Sequence, residues 1–211
     1  MALKIFRFRL FVLLDSAPFI TQDEDNKKIV DTAVSTFGGL HVSFINAGVG
    51  SFSSILDATD EVIDSMVGPN FKGVLFGLKH QIPVMSKTSD RGSIIVNTSV
   101  VGSRVSCGNS SAGILGCTKA AADLAVKYGA VEGAPMNVRV NGIAPGLVIT
   151  PAVDVLDEET RQAMIKNGHL IQKATMPEDL APFVAFLASD DAKIMTGAIY
   201  PIDAGAPLKM S

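Results

Sequence analysis

Apolar and polar positions along this chain separate helices from strands before any motif is read. After Thr21-Gln22-Asp23-Glu24, residues Ile29, Val30, Ala33, Val34 and Phe37 recur at helical spacing until Gly38-Gly39 stops the run. HVSFINAG, residues 41–48, is short, apolar and glycine-ended, which predicts a buried strand. A second helical pattern follows Ala58-Thr59-Asp60 and is expected to end near Val67. Because proline is tolerated in a first turn, a separate helix is expected to begin at Pro69. SIIVNT, residues 93–98, predicts another buried strand, and the alanine-rich stretch 111–131 a long helix. MNVRVNGIAP predicts a third strand and residues 197–203 a fourth, with helices near 157–167 and 177–188 between them. Strand and helix in turn, without hairpin signals, predict an α/β fold in one domain, 1–211: a parallel sheet with helices on both faces.

The first fourteen residues, MALKIFRFRLFVLL, alternate with period two, with Phe6, Phe8, Leu10, Val12 and Leu14 on one side. A strand over 6–14 is expected, covering the edge of the strand that ends at Asn46. An amphipathic mitochondrial import signal is the alternative. The apolar run Leu10–Leu14 is shorter than a secretory signal requires.

Composition narrows the function classes. Eighteen basic and 21 acidic residues give a net charge of -3, which is no footprint for nucleic acid or an anionic membrane surface. Cys107 and Cys117 are too few for a disulfide framework or a zinc site, and the three histidines are scattered, so no metal is expected. The expected setting is reducing and cytoplasmic.

The candidate chemistry lies where the predicted strands end. Asn46-Ala47-Gly48 closes the first, Asn70 opens the helix after Pro69, and Ser99 follows the second strand in IIVNTSVVG. Lys119 lies in CTKAAA, and Pro145, Gly146, Val148 and Thr150 lie in RVNGIAPGLVITP. In this order and at these boundaries, the elements resemble the short-chain dehydrogenases/reductases, nicotinamide-dependent oxidoreductases with a Rossmann-like sheet. The resemblance spans roughly residues 21–205. It implies hydride transfer between NAD or NADP and an alcohol or carbonyl carbon. It also implies that Ser99 binds the substrate oxygen, Lys119 the nicotinamide ribose, and Asn70 a water. Asn46, Ala47, Gly48, Pro145, Gly146, Val148 and Thr150 would line the cofactor, and the helices at 70–85 and 112–131 would form a homo-oligomer surface.

Two departures alter that expectation. The family's acid/base tyrosine should stand four residues before Lys119, one helical turn away, and that position is Leu115. The only tyrosines are Tyr128 and Tyr200. A Gly-rich turn should also cradle the pyrophosphate after a first strand, yet the first glycine is Gly38. The first strand–helix–strand unit is therefore expected to be missing, and turnover to be impaired. The alternative is a non-catalytic chain acting through a partner surface. Each site residue has a plain reading as well: Asn46 ties loops together, Ser99 starts a turn, Lys119 is a solvated charge, and Asn70 serves a helix start.

Overall fold

The alternation of side chains along two central strands decides how the layers assemble. The computed structural model describes residues 19–50, 53–105, 112–153 and 156–208. The expected strand over 6–14 lies outside these. Four strands form one sheet in the order β1 (Val42–Ile45), β2 (Gly92–Asn97), β3 (Val138–Pro145) and β4 (Ile199–Ile202). Every pair is parallel, with Val42 opposite Ser93, Ile94 opposite Val140 and Ile143 opposite Tyr200. On β2, Ile94 and Val96 face one layer and Ile95 the other, as the pleat requires.

The first layer holds α3 (Gly73–Thr88) and α4 (Gly113–Gly133), which bury Val74, Leu78, Ile82, Met85, Ala122 and Val126 against Ile94, Val96, Val138 and Val140. Helix α1 (Asp23–Phe37) packs on α3. In the opposite layer α6 (Pro177–Ala188) sets Leu180 and Leu187 against Ile95 and Ile143, and α5 (Glu158–Gly168) precedes it. The expected Rossmann-like parallel sheet with helices on both faces is what forms.

Several local expectations change. β1 is half-buried rather than buried, with Phe44 41% exposed, because β2 is its only partner among the described residues. The break expected at Gly68-Pro69 is a continuous path. Helix α2 (Asp60–Val67) runs into a π-helical turn, Gly68–Lys72, and then into α3. Proline lacks the N–H that an α-helical ladder would use, and the wider turn absorbs the defect, closing with Gly73 N–H on Gly68 C=O. Val74 and Leu78 lie on the helix expected to form an oligomer surface, yet they belong to the core because their i, i+4 row faces the sheet. Phe37, expected on the buried stripe of α1, is 39% exposed.

Candidate functional site

The carboxyl ends of β1, β2 and β3 converge on one crevice, the usual ligand position in an open parallel sheet. The π-helical turn sends Asn70 inward, where it is 1% exposed. Its side-chain amide clamps the loop after β1: Oδ1 accepts the Val49 N–H at 2.9 Å, and Nδ2 donates to Val49 C=O at 2.9 Å. Nδ2 also donates to Thr118 Oγ1 at 3.2 Å, and that hydroxyl donates to Leu115 C=O at 2.9 Å. The side-chain amide of Asn70 thereby makes three hydrogen bonds to protein partners.

Lys119 reaches the same crevice from α4. Its Nζ donates to Asn97 C=O at 3.1 Å, and Asn97 Nδ2 donates to Asn46 Oδ1 at 2.7 Å. The loop after β1 passes so close that a Cβ at Gly48 would stand 2.9 Å from Asn70 Oδ1 and 3.4 Å from Lys119 Nζ. Asn46, Gly48, Asn70, Asn97 and Lys119 therefore form one connected group. Ala47 sits within it, half-buried. Lys119 is not a solvated charge: only 9% of it is exposed, and burial lowers its pKa to about 8, with Asp123 one turn further opposing that shift. Asp123 is itself pushed up by burial, against the charges of Lys127 and Lys119.

Ser99 ends β2. Its Oγ accepts the Val101 N–H and donates to Pro145 C=O, both at 3.5 Å. It caps the short 3-10 turn Val100–Gly102 and keeps most of its hydrogen-bonding capacity. Gly146 anchors β3 to the end of β4 through its N–H to Ile202 C=O at 3.1 Å. Val148 bridges to Thr175, and Thr150 opens the turn at 151–153. These two belong to the loop beyond β3 and share no hydrogen bond with the Lys119 group among the described residues.

Sequence reasoning passed over Asn97, Thr118 and Asp123. Only the helical spacing of Asp123 from Lys119 could have pointed to one of them. Leu115 is half-buried one turn before Lys119 and offers no titratable group. Tyr128 is 63% exposed on the far side of α4, and Tyr200 packs edge-on against Phe183 with ring centroids 5.3 Å apart. Ser110, Ser111 and Cys107 lie outside the described residues. Among the described residues no group of three His, Cys, Asp or Glu side chains could hold a metal ion, and no helix is long and apolar enough to cross a membrane.

For a nicotinamide cofactor the fit is confined to one end. The Lys119 amine, buried with one hydrogen-bond partner among the described residues, and the loosely held Ser99 hydroxyl suit a ribose and a substrate oxygen. The described loop after β1 carries Gly48 and Gly50, but α2 begins only at Asp60, so no helix N-terminus follows those glycines as a pyrophosphate cradle needs.

Comparison with known proteins gives a consistent picture. A family model described as enoyl-(acyl carrier protein) reductase matches residues 19–207. Cyclohexanol dehydrogenase of Acinetobacter sp. is 33% identical over 189 residues, covering 86% of this chain and 70% of that protein. Dehydrogenase/reductase SDR family member 4 of Homo sapiens is 35% identical over 195 residues, covering 89% and 66%. The crystal structure of a short-chain type dehydrogenase/reductase from Mycobacterium marinum superposes with a TM-score of 0.82 at 27% identity, covering 89% of this chain and 72% of that one.

Proposed function

The chain belongs to the short-chain dehydrogenase/reductase family, and from that premise we propose that it keeps the carbonyl- and nicotinamide-facing half of an oxidoreductase site without efficient turnover. The observation that carries this reading is Leu115, one turn before a buried Lys119, where a leucine can neither give nor take a proton. Lys119 would hold the nicotinamide ribose, and Ser99 would bind the substrate oxygen. Asn46, Ala47, Gly48, Pro145 and Gly146 would form the walls, with Val148 and Thr150 on the loop over them. Asn70 would fix the Gly48-Val49 loop and, by resemblance, position a water. NAD or NADP, when bound, supplies or accepts the hydride.

Loss of a positioned acid/base removes roughly 10²–10⁴ in rate, and a cofactor without a pyrophosphate cradle forfeits much of the advantage of proximity. Purified protein should therefore show little or no NADH- or NADPH-linked reduction across a panel of aldehydes and ketones, and Leu115→Tyr alone should not restore it. Activity in that variant alone would identify the tyrosine as the sole essential loss. Saturable micromolar binding of NADH or NADPH, followed by fluorescence, would reverse the half of this reading that concerns the cofactor.

A second reading is favoured by the outer surface of α3 and α4, where Leu75, Leu124, Tyr128 and Val131 are exposed together. There the protein would act by association, as a homo-oligomer, and would need no cofactor.

A further inference from the structure

Lys119 is the one buried amine at the crevice, and its surroundings leave it chemically underused. Its Nζ meets Asn97 C=O at 3.1 Å, its only hydrogen-bond partner among the described residues. Asn70, the nearest amide of α3's approach, is occupied by Val49 and Thr118. The loop wall at Gly48 has no side chain to cover the amine, and Leu115 leaves an apolar neighbour where the family has a phenol. We propose that Lys119 is a carbonyl-reactive amine that condenses with small aldehydes and ketones entering this crevice to form a Schiff base. This rests on the reading above that the crevice takes carbonyl compounds.

The step balances without an oxidant or reductant. The neutral amine attacks the carbonyl carbon and forms a C–N bond, while an amine proton passes to the carbonyl oxygen. The carbinolamine then loses that oxygen as water, the second amine hydrogen leaving with it, and the resulting imine takes up a proton from solvent. An ammonium cannot begin the sequence, so the fraction of neutral amine sets the rate. Burial lowers the pKa of Lys119 to about 8, and Asp123 on its own helix is the charged group that acts on it. The groups facing it from β2, from the loop after β1 and from the π-helical turn, namely Asn97, Gly48 and Asn70, are uncharged. Lys27 and Lys28 provide internal controls. Asp31 and Asp25 raise their pKa values and keep them charged on the surface.

The experiment treats the full chain with acetaldehyde and cyanoborohydride, which reduces an imine to a stable secondary amine, and maps modified lysines by mass spectrometry. At pH 8, Lys119 should be modified at least about tenfold faster than Lys27 or Lys28, and its rate should level off near that pH while theirs keeps climbing. Lys119→Arg should lose this adduct and keep surface labelling unchanged. Saturation of exposed lysines with Lys119 untouched in the unaltered protein would overturn the proposal, whether or not the variant folds. Added NADH or NADPH separates the two ideas. An adduct that NADH or NADPH leaves unprotected supports both the amine and the weak cofactor site, and an adduct that micromolar cofactor suppresses supports the amine alone. Absence of an adduct overturns the amine alone, whereas saturable micromolar cofactor binding overturns the reading of a weak cofactor site, with or without an adduct.

Discussion

Lys119 links the chemistry of the crevice to the stability of the fold. Its folded pKa, about 8, lies below the ordinary lysine value of 10.5, so between these pH values the unfolded chain holds more protons than the folded one. Stability must then rise as pH rises through that window, by up to about 3 kcal/mol from this one group. Urea midpoints at pH 7.5 and 9.5 should show the rise, and Lys119→Met should flatten it. Lys27 and Lys28 work in the opposite sense and at higher pH. Their pKa values are raised by Asp31 and Asp25, so what they contribute is lost as pH climbs through those raised values. Asn70 makes a related point. A buried amide whose oxygen and nitrogen both bond to protein clamps the loop after β1, and those partner atoms are invisible in a sequence.

At the level of elements, the crevice depends on α4 lying unusually close to the turn after β2. A Cβ at Gly102 would stand 2.8 Å from the Lys119 carbonyl carbon and 2.9 Å from the Ala120 nitrogen, both backbone atoms that cannot swing aside. Gly102→Ala should push α4 outward at the residue that carries the amine. Overpacking of this kind costs about 1–3 kcal/mol. Thermal unfolding would report the loss, and the Lys119 adduct rate would report the displacement. Much of this layout was legible beforehand: β2 as a short apolar run, β3 in MNVRVNGIAP, α1 by its stripe and its Gly38 stop, α6 by Pro177-Glu178-Asp179. The π-helical turn was not. Gly68-Pro69 reads as a break in any local code, and only the packing of Ile20 and Thr21 onto Gly73 and Gly68 explains why the chain continues. β1 misled for a similar reason, since apolar content does not reveal how many neighbours a strand will have.

Among the described residues, the outer surface of α3 and α4 and the strand β1 both present apolar side chains to the surroundings. Burial of Leu124 and Val131, now 53% and 71% exposed, would favour self-association. Light scattering at micromolar concentration should give a species larger than the monomer, and Leu124→Glu with Val131→Glu should return it to monomer with its fold intact. The sheet, for its part, keeps spatial order and chain order identical, from β1 to β4, with every neighbour parallel. No two adjacent strands are joined by a short turn; residues 46–91, 98–137 and 146–198 intervene. Each pairing must therefore wait for a long segment to close, and nothing local rewards the chain while it waits. Assembly of this sheet should be slow, and during that delay Ile94, Ile95 and Val96, fully buried at the end, are open to any other chain nearby. A newly made molecule is thus vulnerable through residues that the finished one hides completely.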